Sequence, residues 1–352
     1  MSCVSRALIP PRWPTDRVRL LRAAFRRKIL APRLLYETPA QSRKWLAVHR
    51  RWSPAAAARG RRLYRAAFRG IARAAPRAVR VISLGCGSGA KDRDLLEALR
   101  HRGVHAAYCP CDVSPSLVGK AAAACRRAAL GGCRPLVADL AAPLAPAAFA
   151  RRLNRLPFPR TPRIVLFLGM LPNFDPSRAR RILRAVLRRG DLLVVSANLL
   201  PPGKLAERRV MTQYDNRETR AWLLELPRAL GWPAHAETLS FRWGRASERR
   251  GPRRIEVRYR AAKHPPRLIF FSNRHTRTQL RAFVRALGAR APRLLTTTAG
   301  DEGVAWGNVR ARGAARRRPS ERLSRAAREA LKLSIKARRR RASARSEPFR
   351  RA

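Results

Sequence analysis

The stretch Val79–Arg100, VRVISLGCGSGAKDRDLLEALR, decides the fold. An apolar run ending at Leu84 meets Gly85, Gly87 and Gly89 within five residues, and a helical pattern follows in which Leu95, Leu96 and Leu99 share a face. A buried strand that runs into bare backbone and then a helix lets a ligand approach the main chain closely, as at the carboxyl edge of a doubly wound sheet. Dinucleotide enzymes space these glycines G-x-G-x-x-G, so that the helix N-terminus takes a pyrophosphate. Here the spacing is G-x-G-x-G with Lys91 close behind, which suits a ligand without a pyrophosphate, such as S-adenosylmethionine.

Working outward, the alternation continues. HAAYCPCD (105–112) is a second strand, followed by a helix from Ser114 to Leu130, and CRPLVAD (133–139) is a third strand. RIVLFLG (163–169) is the fourth, with a helix after Asp175-Pro176, and DLLVVSAN (191–198) is the fifth. Unbroken apolar strands alternating with helices predict a parallel sheet covered on both faces. After Asn198 the pattern changes: LLPPGK breaks it, NRETRAWLLELPRALG (216–231) reads as helix, and ETLSFRW and RRIEVRYRA alternate as antiparallel strands do. The helix TRTQLRAFVRALG (276–288) and strands near 293–298 and 303–309 would complete a sheet. The expected fold is α/β, a doubly wound Rossmann-like sheet with a second α+β domain on the substrate side.

Two aspartates strengthen the reading of the glycine loop. Asp112 ends the second strand, where two carboxylate oxygens match the vicinal diol of an adenosine ribose, and Asp139 ends the third, placed to accept an adenine amino group. The alternative is that both are turn or helix-capping residues.

Composition sets outer limits. The chain has 352 residues, 46% of them apolar, with a formal charge of +58. Residues 313–352 carry 15 Lys/Arg against 3 Asp/Glu, which leaves +46 over the other 312 residues. Such a field attracts polyanions non-specifically, although an Arg-, Ala- and Pro-rich composition accounts for it equally well. Cysteines 3, 86, 109, 111, 125 and 133 contain no C-x-x-C pair, and the C-x-C at 109 and 111 has no nearby His, so no metal site and reduced thiols in a cytoplasmic protein are expected. No apolar run approaches the roughly 20 residues of a membrane span. The tail holds an amphipathic segment, SERLSRAAREALKLSIKA (320–337), before an Arg run.

The motifs resemble those of the histidine-specific S-adenosylmethionine-dependent methyltransferases of the ergothioneine-pathway type. SLGCGSGAKDRDLLEAL (83–99) is similar to their L-G-S-G-x-x-x-K-T-R-x-L-L, with Lys91, Arg93, Leu95 and Leu96 in place. YCPCDVS (108–114), FLGMLPNFDP (167–176) and YDN (214–216) follow in the family's order. The similarity spans Arg80–Asn216 well and Arg253–Gly288 loosely, with a hint in LLYETPAQSRKWL (34–46). The resemblance implies a class I methyltransferase sheet with S-adenosylmethionine held by Gly85, Gly87, Gly89, Lys91, Asp112, Asp139 and Leu140. It also places Asn173 near the substrate amine and Tyr214 in the substrate pocket. The domains implied are a helical segment 1–60 contributing to the substrate side, a cofactor domain 61–200, a substrate-side region 201–275, a return to the cofactor domain at 276–312, and the basic tail 313–352.

The departures bear on the substrate. Where the family has E-x-S-x-K, this chain reads FFSNRHT (270–276): Ser272 is kept, Arg274 replaces the Lys, and Phe270 replaces the Glu. An apolar ring facing an imidazole N–H leaves that donor unpaired, at about 1–3 kcal/mol, so histidine is not the expected substrate. The expected function is N-methylation of an amine on a small amino-acid-like molecule, with Asn173 and Tyr214 catalytic and Phe270 and Ser272 also facing the substrate. Asn173 has a competing reading as a helix cap, and Arg274 and His275 read as surface residues of an Arg-rich protein. The alternative function is a non-catalytic or nucleic-acid-associated protein of the same fold that uses its basic surface. The [DN]-P-P-[YF] loop of base-amino methyltransferases is missing after the fourth strand, leaving charge as that reading's support.

Overall fold

The computed structural model describes residues 32–141, 145–156, 161–246, 248, 251–260 and 266–310. Expectations about residues 1–31 (Cys3 among them) and about the basic tail 313–352, with its amphipathic segment, lie outside the described residues. The described chain begins with a 3-10 turn, Pro32–Leu35, and two helices, α1 (Pro39–Trp52) and α2 (Ala58–Arg73). Thr38 caps α1 by accepting from the Gln41 N–H, while the Gln41 side chain accepts from the Thr38 N–H, and Pro39 fits N1 because no donor is needed there. In α2, Leu63, Tyr64, Ala67, Phe68 and Ile71 form one buried stripe.

The strands β1 (Ala78–Leu84), β2 (His105–Asp112), β3 (Leu136–Val137), β4 (Arg163–Phe167) and β5 (Leu192–Asn198) alternate with helices α3 (Ala90–Arg100), α4 (Pro115–Cys125), α5 (Ala145–Arg155) and α6 (Pro176–Val186). Then come α7 (Lys204–Thr212), α8 (Arg217–Leu223), α9 (Glu225–Arg228), β6 (Leu239–Arg245), β7 (Arg253–Tyr259), β8 (Arg267–Arg274), α10 (Arg277–Arg285), β9 (Arg293–Thr296) and β10 (Glu302–Asn308). The large sheet has the order β3-β2-β1-β4-β5-β10-β9; its first five strands are parallel, and β10 lies antiparallel to both neighbours. The order reverses between β1 and β4, which opens a crevice at their carboxyl ends.

The two-residue period of the strands builds both layers. Ile82, Leu84, Val165 and Phe167 face Phe149, Ile182, Leu183 and Phe283 from α5, α6 and α10. Val81, Tyr108, Ile164 and Leu166 face Phe68, Ile71, Leu95 and Leu99 from α2 and α3. A second, antiparallel sheet, β6-β7-β8, packs Ile255, Val257 and Ile269 against Leu34, Leu35, Trp222 and Leu226.

Several elements differ from expectation. The helix after β2 stops at Cys125 rather than Leu130, because the chain turns to bring the Gly131 N–H onto the Ala106 carbonyl. The helix expected over 216–231 breaks into α8 and α9, since Pro227 has no N–H to continue the ladder. α5 and α7 were not foreseen. Arg274 and His275 are not surface residues: they are 1% and 2% exposed, Arg274 on the buried side of β8 and His275 just beyond it.

Candidate active site

The glycine loop lies in the crevice between β1 and β4, and each glycine is there for a spatial reason. Gly85, Gly87 and Gly89 have φ of 76°, 54° and 76°, the left-handed region that side chains resist. A Cβ on Gly85 would lie 2.1 Å from Met170 Sδ, and one on Gly89 would lie 2.7 Å from Ala121 Cα. The loop borders a cavity of about 760 Å³, within the range of cofactor sites.

Asp112 lines that cavity with both carboxylate oxygens anchored. Oδ1 accepts the Ser114 N–H at 3.0 Å and Oδ2 accepts the Gly87 N–H at 3.1 Å. Burial raises its carboxyl above the usual range, against the pull of these backbone donors. Asp139 and Leu140 are also in the wall. Asp139 Oδ1 accepts the Ala141 N–H at 2.8 Å, and its Oδ2 lies 3.5 Å from Arg33 Nη1. Both aspartates therefore serve local turns, as the alternative reading held, and both border the cavity.

Lys91 sits in the first turn of α3, with Nζ 4.8 Å from the centre of the Tyr64 ring, and burial lowers its ammonium. The next residue, Asp92, accepts from Tyr108 Oη at 2.6 Å; burial raises its carboxyl to about 6. The 32–52 segment is pinned over the cavity. Ser42 Oγ lies 3.0 Å from Ser114 Oγ and donates to the Tyr36 carbonyl, while Gln41 Nε2 donates to the Leu34 carbonyl at 2.7 Å.

A smaller chamber of about 110 Å³ shares Tyr36, Trp45, His49, Lys91, Gly169 and Asn173 as walls with the first. Asn173, Tyr214, Phe270 and Ser272 all line it. Phe270, Ser272 and Arg274 come from one face of β8 through its two-residue period. Tyr214 Oη donates to Ser272 Oγ at 2.8 Å and accepts from Arg274 Nη2 at 3.0 Å and Asn198 Nδ2 at 3.3 Å. The Phe270 ring packs edge-on to Trp222 at 5.4 Å. Asn173 does not cap α6, whose N-cap is Asp175; it ends a 3-10 turn, and its Nδ2 donates to the Gly169 carbonyl at 3.5 Å.

Sequence reasoning missed Tyr64 and Glu302. Tyr64 lies within a core stripe, and only its hydroxyl sets it apart; Glu302 opens the last described strand, the antiparallel β10, where no motif marks it. Among the described residues no group of three or more His, Cys, Asp or Glu could hold a metal ion, and no helix is long and apolar enough to cross a membrane.

A seven-stranded α/β sheet with a glycine loop and strand-terminal aspartates at its switch point defines the class of Rossmann-like methyltransferases. The model of the family described as histidine-specific, S-adenosylmethionine-dependent methyltransferases matches residues 56–228 of this chain. No curated protein matches it in sequence. Among solved structures, it is similar to the apo form of the S-adenosylmethionine-dependent methyltransferase SibL (15% identity, TM-score 0.40), over 71% of this chain and 57% of that one. It is also similar to a candidate methyltransferase of Thermobifida fusca YX (11% identity, TM-score 0.47), over 85% of this chain and 99% of that one. A third is CalS10, an amino pentose methyltransferase from Micromonospora echinaspora with S-adenosylmethionine bound (18% identity, TM-score 0.33), over 69% of this chain and 90% of that one. The chain thus spans little more than half the length of SibL.

Proposed function

We propose that this protein transfers a methyl group from S-adenosylmethionine to the amine of a small amino-acid-like molecule. The observation that carries the reading is the shared wall of the two chambers. Lys91, Gly169 and Asn173 border both; the glycine loop and Asp112 lie on one side, and the Tyr214–Ser272 pair lies on the other.

The cavity fits the cofactor chemically. Positive-φ glycines leave the backbone bare, and Asp112 is held by main-chain donors in one orientation at the strand end, suited to a vicinal diol. Gly85, Gly87, Gly89, Lys91, Asp112, Asp139 and Leu140 are its proposed contacts. When bound, the sulfonium supplies both the methyl group and its own leaving group. The remaining work of the chain is positional: aligning acceptor and donor and excluding water. The Asn173 amide oxygen takes a hydrogen of a neutral amine and orients it without fixing a full charge. Tyr214, its hydroxyl set by Ser272, Asn198 and Arg274, orients the rest of the substrate. In this reading the described residues within 1–60 and 201–275 frame the substrate side, and those within 61–200 and 276–312 hold the cofactor. A reducing, cytoplasmic setting is part of this reading and rests on the cysteine spacing of the sequence.

The test is calorimetric titration with S-adenosylhomocysteine at high salt, beside Asp112→Ala. Micromolar binding that the substitution abolishes supports the reading. A folded wild-type protein that binds none overturns it, and the basic surface then becomes the place to seek function.

A further inference from the structure

Glu302 opens β10, paired in register with Asn198 at the end of β5. It is 1% exposed and forms part of the wall of the smaller chamber. Its two oxygens differ. Oε1 accepts from Tyr64 Oη at 2.6 Å, and that hydroxyl lies 2.7 Å from Ser196 Oγ, which itself accepts the Gly169 N–H at 2.8 Å. Oε2 has no hydrogen-bond partner. A buried carboxylate oxygen without a donor is costly, so what fills the chamber has to supply one.

The surrounding side chains do not relieve it. Arg274 Nη1 and Nη2 donate to Gln213, Tyr214 and the Leu199 carbonyl, its Nε makes no hydrogen bond to Oε2, and Tyr214 gives its proton to Ser272. Phe270, in the same chamber, offers only a ring. Burial raises the Glu302 carboxyl, while Lys91 and Arg274 favour its charged form. Two cations already balance its charge without donating to Oε2, so a neutral N–H donor completes the set better than a third positive charge.

We propose that Glu302 is the acceptor through which the smaller chamber reads its substrate: Oε2 takes an N–H of the substrate's side chain. The chamber then selects amino-acid-like amines with a nitrogen donor over apolar ones of the same size. Glu302 thus supplies, from β10, the carboxylate that Phe270 does not supply from β8. This inference rests on the methyltransferase reading above.

The test uses the full chain saturated with S-adenosylhomocysteine and two matched probe pairs, L-histidine with L-phenylalanine and L-glutamine with L-methionine. The nitrogen-bearing member of at least one pair should bind ten-fold or more tightly than its partner. Glu302→Gln keeps an acceptor for Tyr64 but presents an NH₂ where Oε2 stood; it should remove the preference and leave S-adenosylhomocysteine affinity within about two-fold. No preference in either pair of the wild type, absence of binding by all four included, overturns the inference, as does a preference that survives in Glu302→Gln. The wild-type comparison stands even if the variant fails to fold. Failure of S-adenosylhomocysteine itself to bind is a different result, and it sinks the cofactor reading first.

Discussion

Arg274 holds Tyr214 twice: its guanidinium carbon lies 5.1 Å from the centre of the phenol ring, and its Nη2 donates to the same residue's hydroxyl at 3.0 Å. A cation 1% exposed, on the inner face of a strand, thereby fixes the side chain that the sequence motif marks for the substrate. Tyr214→Phe keeps the ring contact and removes the hydroxyl, leaving Ser272, Asn198 and Arg274 each short of one partner. The expected stability loss is about 1–3 kcal/mol, read by denaturant titration, with S-adenosylhomocysteine affinity unchanged. An equal loss of cofactor affinity would remove Tyr214 from the substrate side.

Gly85→Ala tests the loop. Its φ of 76° alone costs an L-residue about 1–2 kcal/mol, and the new Cβ would meet Met170 Sδ at 2.1 Å. The expected result is a lower thermal midpoint together with at least ten-fold weaker S-adenosylhomocysteine binding. Full binding would show that the loop tolerates a side chain and takes no close ligand.

Acid should weaken the fold through His275. Burial lowers its pKa from 6.5 to about 4, and neither ring nitrogen has a hydrogen-bond partner. The unfolded chain binds a proton near pH 6.5 that the folded one refuses until about pH 4. Stability is therefore full above the first value and falls as pH drops toward the second, by about 3 kcal/mol at most. His275→Leu should flatten that limb in denaturant titrations across pH; an unchanged slope would assign it to other groups.

Far from the chambers, Asp191 accepts from Arg163 Nε at 2.8 Å, from Arg163 Nη2 and from the Arg188 N–H, with both partners of the ion pair about 5% exposed. Asp191→Ala strands a buried guanidinium beside Arg80, whose own guanidinium burial and Arg163 already disfavour. The expected cost is about 3–5 kcal/mol in chemical unfolding, with S-adenosylhomocysteine affinity retained by the fraction that remains folded. A loss under 1 kcal/mol would mean that water reaches Arg163.

What was legible in the sequence was local. The glycine loop, Asp112 and the parallel strands declare themselves because strand, turn and helix are contiguous and their periods are unmistakable. Tyr214, Phe270 and Ser272 were legible through motif resemblance, and their common chamber follows from the α7–α8 turn and β8 meeting in space. Arg274 was misread because one buried arginine among many carries no mark; only the register of β8 turns it inward. Glu302 and Tyr64 meet across the fold, on α2 and β10, and no spacing in the chain foretells that contact.

The roof segment has a thermodynamic consequence. Tyr36, Trp45 and His49 wall both chambers, and the segment that carries them is fastened beside the cofactor side through Ser42 and Ser114. Whatever ordering of that segment one ligand brings about is already in place for the other. If both chambers take ligands as proposed, occupancy of one should strengthen affinity in the other, by the same factor whichever ligand arrives first.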